Sequence, residues 1–248
     1  MVAFLLVTDL DNTLVGDREA TNELNQILQQ HRQNHGSKLV YASGRSRHLF
    51  RQLQQEQSLL EPDIFVGSVG TDMYYPSSNQ SEPEWQEKLR SHWHRDRVLS
   101  IAAHFADLTP QPDSEQGEFK VSYYITQPAA QEVLPRLEQL LQEAGLDIRL
   151  VYSSDRDLDI LPRQGNKGTA MAFVRRKLGF SPENTIVCGD SGNDIGLFES
   201  GIERGIIVGN AREELLQWHE KNPNPHRYLA KAACAGGILE GLRYFGFI

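Results

Sequence analysis

The stretch Thr8-Asp9-Leu10-Asp11-Asn12-Thr13 sets two carboxylates two positions apart, directly after the apolar run Val2 to Val7. Like charges so close are disfavoured unless a cation or a shared proton offsets them. Three other stretches supply compatible groups. Ser43-Gly44-Arg45 offers a hydroxyl and backbone amides. Lys167 stands in Gly165-Asn166-Lys167-Gly168, and Gly189-Asp190-Ser191-Gly192-Asn193-Asp194 adds two more carboxylates. Clustered Asp9, Asp11, Asp190 and Asp194 suit a hard cation, and Mg2+ favours carboxylate and water oxygens. Ser43, the nearby amides and Lys167 suit an anion. Asn166 is a good helix N-cap, and a cation in the first helical turn is disfavoured by the helix dipole unless an anion sits beside it. Carboxylates, a divalent cation, a hydroxyl and a lysine together describe phosphoryl transfer. Enzymes accelerate phosphate monoester hydrolysis by up to ~10²¹-fold, about 28 kcal/mol, more than any one group supplies. One carboxylate of the first pair can be the nucleophile; the other can protonate the leaving alcohol and then deprotonate water.

Groups so far apart in the chain meet only if strands end side by side. Strands are predicted at 2–8, 38–42, 64–67, 185–188 and 205–208, and helices at 18–35, 46–57, 167–178 and 194–200. A last short strand and a helix near 237–245 follow Asn222-Pro223-Asn224-Pro225. The β-α-β-α-β rhythm implies a parallel sheet covered by helices. Ligands of such sheets bind beyond the carboxyl ends of the strands. Those ends fall at Asp9 and Asp11, at Ser43 to Arg45, at Val69 to Asp72 and at Asp190. Strand pleating predicts that Asp9 and Asp11 face the same way.

The middle of the chain breaks this rhythm. Pro76-Ser77-Ser78-Asn79-Gln80 and the residues up to Trp85 read as a linker. A long polar helix over 84–107, a helix over 128–144 and alternating strands over 119–125, 147–154 and 157–162 follow. The expected fold class is α/β: a parallel Rossmann-like core from 1–76 plus 163–248, with a smaller α/β cap containing an antiparallel sheet inserted at 77–162. In the cap, Phe119, Val121, Tyr123 and Ile125 share one face, and Lys120, Ser122 and Tyr124 the other. Asp157 and Asp159 likewise oppose Leu158 and Ile160. The polar face suits sugar hydroxyls, which makes Lys120, Asp157 and Asp159 candidate substrate contacts, and its closure would exclude water. Trp85 and Trp93 read as packing residues. His92 and His94 stand at i and i+2, do not share a helix face, and read as solvated surface.

The chain has 248 residues, 39% apolar and 23% charged, with a net charge of −8. That sign argues against nucleic acid or an anionic membrane as the main partner. Cys188 and Cys234 have no metal-ligand spacing and fit a reducing compartment. The N-terminal apolar run is short and has no basic leader, so no signal peptide is expected, nor any bilayer-spanning segment. The expectation is a cytoplasmic monomer acting on a small molecule.

Asp9-Leu10-Asp11-Asn12-Thr13, Ser43-Gly44-Arg45, Asn166-Lys167-Gly168 and Gly189 to Asp194 resemble, in order, the four motifs of the haloacid dehalogenase superfamily of phosphatases. Val69 to Tyr74, Lys120 to Tyr123, Ser153 to Pro162 and Gly189 to Phe198 extend the likeness over nearly the whole chain to the sucrose-phosphate phosphatase family of photosynthetic organisms. The resemblance implies Mg2+-dependent hydrolysis of sucrose 6-phosphate, the last step of sucrose synthesis, through an aspartyl-phosphate. It implies Asp9 as nucleophile and Asp11 as general acid/base. It further implies Mg2+ held by Asp9, Asp190 and the backbone carbonyl of Asp11, with Asp194 orienting metal waters. Ser43, Gly44, Lys167 and Asn193 would bind the phosphoryl oxygens, with Arg45 beside them, and the cap would grip the glucosyl ring. Ser43 stands where relatives often have Thr, which keeps the hydroxyl. Plant members carry a further C-terminal domain without a counterpart in these residues.

Other readings keep the mechanism and change the sugar, to trehalose phosphate or mannosylglycerate phosphate. A receiver-like phosphoaspartate switch needs neither Asp11 nor a cap. A non-catalytic subunit of a sugar-phosphate synthase does not need a complete site. Pathway logic makes sucrose-phosphate synthase a candidate partner.

Overall fold

The computed structural model describes residues 2–91, 93–199 and 201–248. In chain order its elements are β1 (Leu5–Thr8), α1 (Arg18–His35), β2 (Lys38–Ala42), α2 (Arg47–Glu56), β3 (Ile64–Gly67), β4 (Asp72–Tyr75), β5 (Gln80–Ser81), α3 (Pro83–Arg90), α4 (Arg95–Ala102), β6 (Thr109–Pro110), β7 (Val121–Tyr124), α5 (Gln127–Glu143), β8 (Ile148–Ser153), β9 (Asp157–Pro162), α6 (Lys167–Leu178), β10 (Thr185–Gly189), α7 (Ile195–Glu199), β11 (Arg204–Ile207), α8 (Glu213–Lys221), β12 (Arg227–Leu229) and α9 (Cys234–Tyr244).

The apolar N-terminal run becomes β1 because it is covered on both sides. Leu5 and Val7 join one core cluster, and Phe4 and Leu6 the other. Alternate residues of a pleated strand leave opposite faces, so a strand at the centre of a parallel sheet needs a continuous apolar run. The sheet order is β12-β11-β10-β1-β2-β3-β4-β5. Helices α1, α2 and α9 pack one face through Leu24, Leu28, Phe50, Leu53, Ile238 and Leu242. Helices α6, α7 and α8 cover the other with Met171, Phe173, Leu197 and Leu215. Asp17 caps α1 by accepting the Ala20 N–H at 3.1 Å, and Gly36, at φ 76°, ends it.

Two expectations need correction here. The sheet is not wholly parallel: β4 and β5 pair antiparallel at its edge. The supposed linker therefore contributes Gln80 and Ser81 to the core sheet, held there by Arg47, which donates to Asp72 at 2.6 Å and to Ser81 at 2.7 Å. The single helix expected over 84–107 is two, α3 and α4. Between them Trp93 is buried, and its indole N–H donates to Glu118 O at 2.7 Å. His94 is exposed there, and His92 lies outside the described residues. Helix α8 has no counterpart in the sequence reading.

The second sheet runs β6-β7-β9-β8, antiparallel throughout. Its apolar face, with Val121, Tyr123, Leu158 and Ile160, packs on Val98, Ala102, Val133 and Leu137 of α4 and α5. Its other face turns to the carboxyl rim of the large sheet. One junction under that rim is unusually close. A Cβ on Gly168 would lie 1.9 Å from Gly196 O, so α6 and α7 meet backbone to backbone. No helix among the described residues is long and apolar enough to cross a membrane.

Candidate active site

Adjacent strand ends bring the chemistry together. Strands β1 and β10 pair in parallel with Thr8 beside Cys188, and the Asp9 N–H donates to Cys188 O at 3.1 Å. Asp9 and Asp190 thus leave the sheet side by side. Asn166 caps α6, its Oδ1 accepting the Gly168 and Thr169 N–H groups at 3.0 and 3.1 Å. This sets Lys167 in the first turn, fully buried. Its ammonium donates to Asp9 Oδ1 at 2.8 Å and to Asp194 Oδ1 at 2.7 Å. Asp194 Oδ2 accepts the backbone N–H groups of Asp190 and Ser191 at 3.0 and 3.1 Å. Thr13 Oγ1 donates to Asp190 Oδ1 at 2.8 Å.

The electrostatics follow from this count of charges. Burial pushes the Asp9 carboxyl well above the usual carboxylate range; Asp194 and Asp190 add to the push, and Lys167 opposes it. Burial, and then the Asp194 charge, push Asp190 up to about 7. Burial alone would lower the pKa of Lys167, but Asp194 and Asp9 outweigh it and raise it. Oxygens of Asp9, Asp190 and Asp194 all lie within 4.8 Å of one another. Asp9 Oδ2 and Asp190 Oδ2 accept no hydrogen bond among the described residues. Three carboxylates against one ammonium leave a buried negative surplus, and two oxygens remain to ligate. The donor set fits a hard divalent cation.

Asp11 is placed differently from the sequence reading. Strand β1 ends at Thr8, and Asn12 turns the chain at φ 59°. The pleating rule therefore does not govern Asp9 and Asp11. The Asp11 carboxylate is outside the buried trio and is held by Arg45, Nε to Oδ2 at 2.7 Å and Nη2 to Oδ1 at 2.7 Å. The reading of four clustered carboxylates is corrected to three. Lys167 already faces two anions of the protein's own, Asp9 and Asp194, which account for a cation in the first helical turn.

Asp11, Gly44, Arg45 and Asn193 line a cleft of about 400 Å³ between the rim and the cap, together with Lys120, Asp157 and Asp159. Ser43 lies behind the cleft wall, almost fully buried, its Oγ accepting the Arg45 N–H at 3.2 Å. Asn193 Oδ1 is buried and accepts no hydrogen bond, so this amide has unspent capacity beside the cleft. On the cap face, Lys120 Nζ donates to Asp159 Oδ1 at 3.2 Å and Ser122 Oγ to the same oxygen at 2.6 Å. Gln111 donates to Asp157 at 3.1 Å. Burial, and then Asp159, raise the Asp157 pKa against Arg156 and Lys120.

Sequence reasoning missed several participants. Thr13 stood within the first motif, and Ser122 on the polar cap face. Gln111, Arg156, Arg212 and Glu214 carried no local signal, because only the meeting of cap and core brings them to the cleft or its edge. Arg212 lines the cleft, and its N–H donates to Asp190 O at 2.7 Å. The backbone at Val69 is held at φ 60°, ψ 23°, a left-handed conformation rare for a β-branched residue. Its N–H donates to Ser43 O at 3.0 Å, which keeps the strained loop against the phosphate-site candidates.

Three comparisons bear on this site. The sequence profile of the family described as sucrose-6F-phosphate phosphohydrolase matches residues 2–246. The probable sucrose-phosphatase 2 of Arabidopsis thaliana is 41% identical over 97% of this chain and 59% of its own length. The chain thus spans about three fifths of the curated plant relatives it matches. The mannosylfructose-phosphate phosphatase of Agrobacterium fabrum is 35% identical over 98% of this chain and 96% of its own. Among solved structures, the sucrose-phosphatase of Synechocystis sp. PCC6803, determined in complex with sucrose and phosphate, superposes with a TM-score of 0.93 at 41% identity, covering 99% of this chain and 98% of that one.

Proposed function

The chain belongs to the sucrose-6F-phosphate phosphohydrolase family of the haloacid dehalogenase superfamily, and on that premise we propose that it hydrolyses sucrose 6-phosphate to sucrose and inorganic phosphate through an aspartyl-phosphate. The observation that carries the reading is the buried trio of carboxylates set against Lys167 at the floor of a polar cleft.

Each side chain has a role in this proposal. The Asp9 carboxylate attacks phosphorus and forms the acyl phosphate as the P–O bond to the sugar breaks. Asp11 protonates the departing sugar oxygen. Water then attacks phosphorus, Asp11 takes its proton, phosphate leaves, and Asp9 is restored. Arg45 holds the ionised Asp11 at the cleft wall, the state that takes the proton of water; for the acid step Asp11 carries a proton on an oxygen freed from the guanidinium. Lys167 holds Asp9 and Asp194 in register and keeps positive charge beside the phosphoryl group, with Ser43, Gly44 and Asn193 around it. Asp9, Asp190 and the Asp11 backbone carbonyl would hold Mg2+, which neutralises the surplus charge when a phosphate dianion binds; Asp194 would orient its waters. Lys120, Asp157 and Asp159 serve the sugar, because a self-neutralised polar face rejects ligands that cannot pair its donors and acceptors.

A second reading keeps the mechanism and takes mannosylfructose phosphate, favoured by the nearly full-length likeness to the Agrobacterium enzyme. A phosphate-release assay over a panel of sugar phosphates, with and without Mg2+, decides. The expected result is a strong preference for sucrose 6-phosphate and loss of activity in EDTA. Preference for mannosylfructose phosphate would favour the second reading, and comparable turnover of glucose 6-phosphate would remove the disaccharide assignment. The proposal extends to a cytoplasmic monomer, a compartment that fits the two free buried cysteines. It also includes association with the sucrose-phosphate synthase, tested by co-purification after crosslinking.

A further inference from the structure

Strand β8 meets the core along one face. Arg149 donates to Glu199 at 3.0 Å, Val151 shares a small apolar cluster with Val69, and the turn after Ser153 reaches the loop that carries Asn193 and Asp194. Ser154 and Asp155 form that turn with φ of 58° and 53°. Turns whose two central residues are both left-handed are dominated by Gly, Asn and Asp. Here two residues with Cβ atoms hold it, and the contacts around them show what keeps it in place. The Ser154 N–H donates to Glu214 Oε1 at 3.1 Å, and the Gly192 N–H donates to the same oxygen at 3.4 Å. A Cβ on Gly192 would stand 2.7 Å from Tyr152 O and 3.1 Å from Glu214 Cγ. Cap turn, core loop and carboxylate are therefore in direct contact. Ser153, Ser154, Arg156 and Asp157 of the same hairpin line the cleft.

We propose that Glu214 is a positioning residue that locks the cap hairpin onto the Gly192–Asp194 loop, and that this lock gives the enzyme its preference for phosphate esters large enough to touch both cap and core. One carboxylate oxygen takes an amide from each side only when the hairpin is seated. Seating the hairpin sets Asp157 over the cleft, while Asp194 keeps the core loop in place through Lys167 and the Asp190 and Ser191 amides. Glu214 touches no reacting atom. A small ester that needs only the core gains nothing from the lock, whereas a disaccharide ester that must bridge both sides gains orientation. The selectivity half of this inference rests on the sugar-phosphatase reading; the lock itself does not.

Hydrogen–deuterium exchange and kinetics on the whole chain test it together. In Glu214→Ala, amides of 152–157 and 191–193 should exchange faster, while those of 121–124 in the cap sheet stay as they were. For sucrose 6-phosphate, kcat/KM should fall by about 10²-fold, the cost expected from a misplaced substrate, with para-nitrophenyl phosphate turnover roughly unchanged. Glu214→Gln, whose amide oxygen still accepts, should behave like the wild type. Replacing the turn by Ser154→Asn and Asp155→Gly in the Glu214→Ala background should not restore selectivity. Unchanged exchange, equal losses on both esters, or restoration by the relaxed turn would overturn the proposal. A wild type inactive on every sugar phosphate would refute the sugar reading, and the exchange result would still decide the lock.

Discussion

Lys167 and Lys120 are both buried lysines, and their surroundings differ in charge. Lys167 faces Asp9 and Asp194 with Asp190 alongside, so carboxylates outnumber the ammonium. Lys120 faces Asp159, joined by the Ser122 hydroxyl, and that pair is neutral in itself. Buried charges are expensive unless paired. The core site leaves the expense uncovered, and the upward shifts at Asp9 and Asp190 register it. An unmatched buried charge suits a charged ligand; a matched one suits a neutral polar ligand. The proposed phosphate chemistry in the core and sugar recognition in the cap follow the same division.

The contrast breaks most visibly at Asp9. Asp9→Asn should lower phosphate release on the order of 10⁴-fold or more, while calorimetry still detects sugar binding to the cap face. Loss of both would show that the two regions are not separable. Next come the lysines themselves. Lys167→Met strands buried carboxylates and should cost about 3–5 kcal/mol of stability in urea unfolding. Lys120→Met strands one carboxylate at a cleft wall and should cost about 1–3 kcal/mol; equal costs would end the distinction.

Smaller effects sharpen it. A saturating divalent cation, at a hundred times its Kd, should stabilise the wild type by about 2.7 kcal/mol. That gain should vanish in Asp190→Asn and persist in Lys120→Met. The pH dependence has a definite sign. With Asp190 raised to about 7, the folded chain holds a proton that the unfolded chain has already released. In EDTA, stability should therefore fall as pH rises from the ordinary carboxylate range through 7, and Mg2+ should flatten that slope. Smallest of all, Arg149→Ala removes a partly exposed pair with Glu199 and should cost under about 1 kcal/mol by thermal unfolding.

Much of the core could be read in advance because punctuation and periodicity agreed there. Strands at 38–42 and 64–67 and the helix at 167–178 stand where the residues put them. The edge strands β4 and β5 were invisible because they are short and the Arg47 that ties them together comes from another element. At the split between α3 and α4, Trp93 reaches Glu118 O, a contact no local pattern encodes. At the site, residue types announced that Lys167 needs an anion. Which anion was hidden, since Asp9 lies 158 positions away. Asp11 misled because the pleat ends three residues before it, at Thr8.

The place where α6 and α7 touch has a consequence for how this protein can vary. Lys167 is aimed by the helix that begins under it, and that helix can approach only because Gly168 and Gly196 present bare main chain to each other. An added methyl group at position 168 would overlap the facing carbonyl and pry the two segments apart. The ammonium would move with its helix, away from the carboxylates it serves. A residue with no functional group thus helps to fix where the charged one stands.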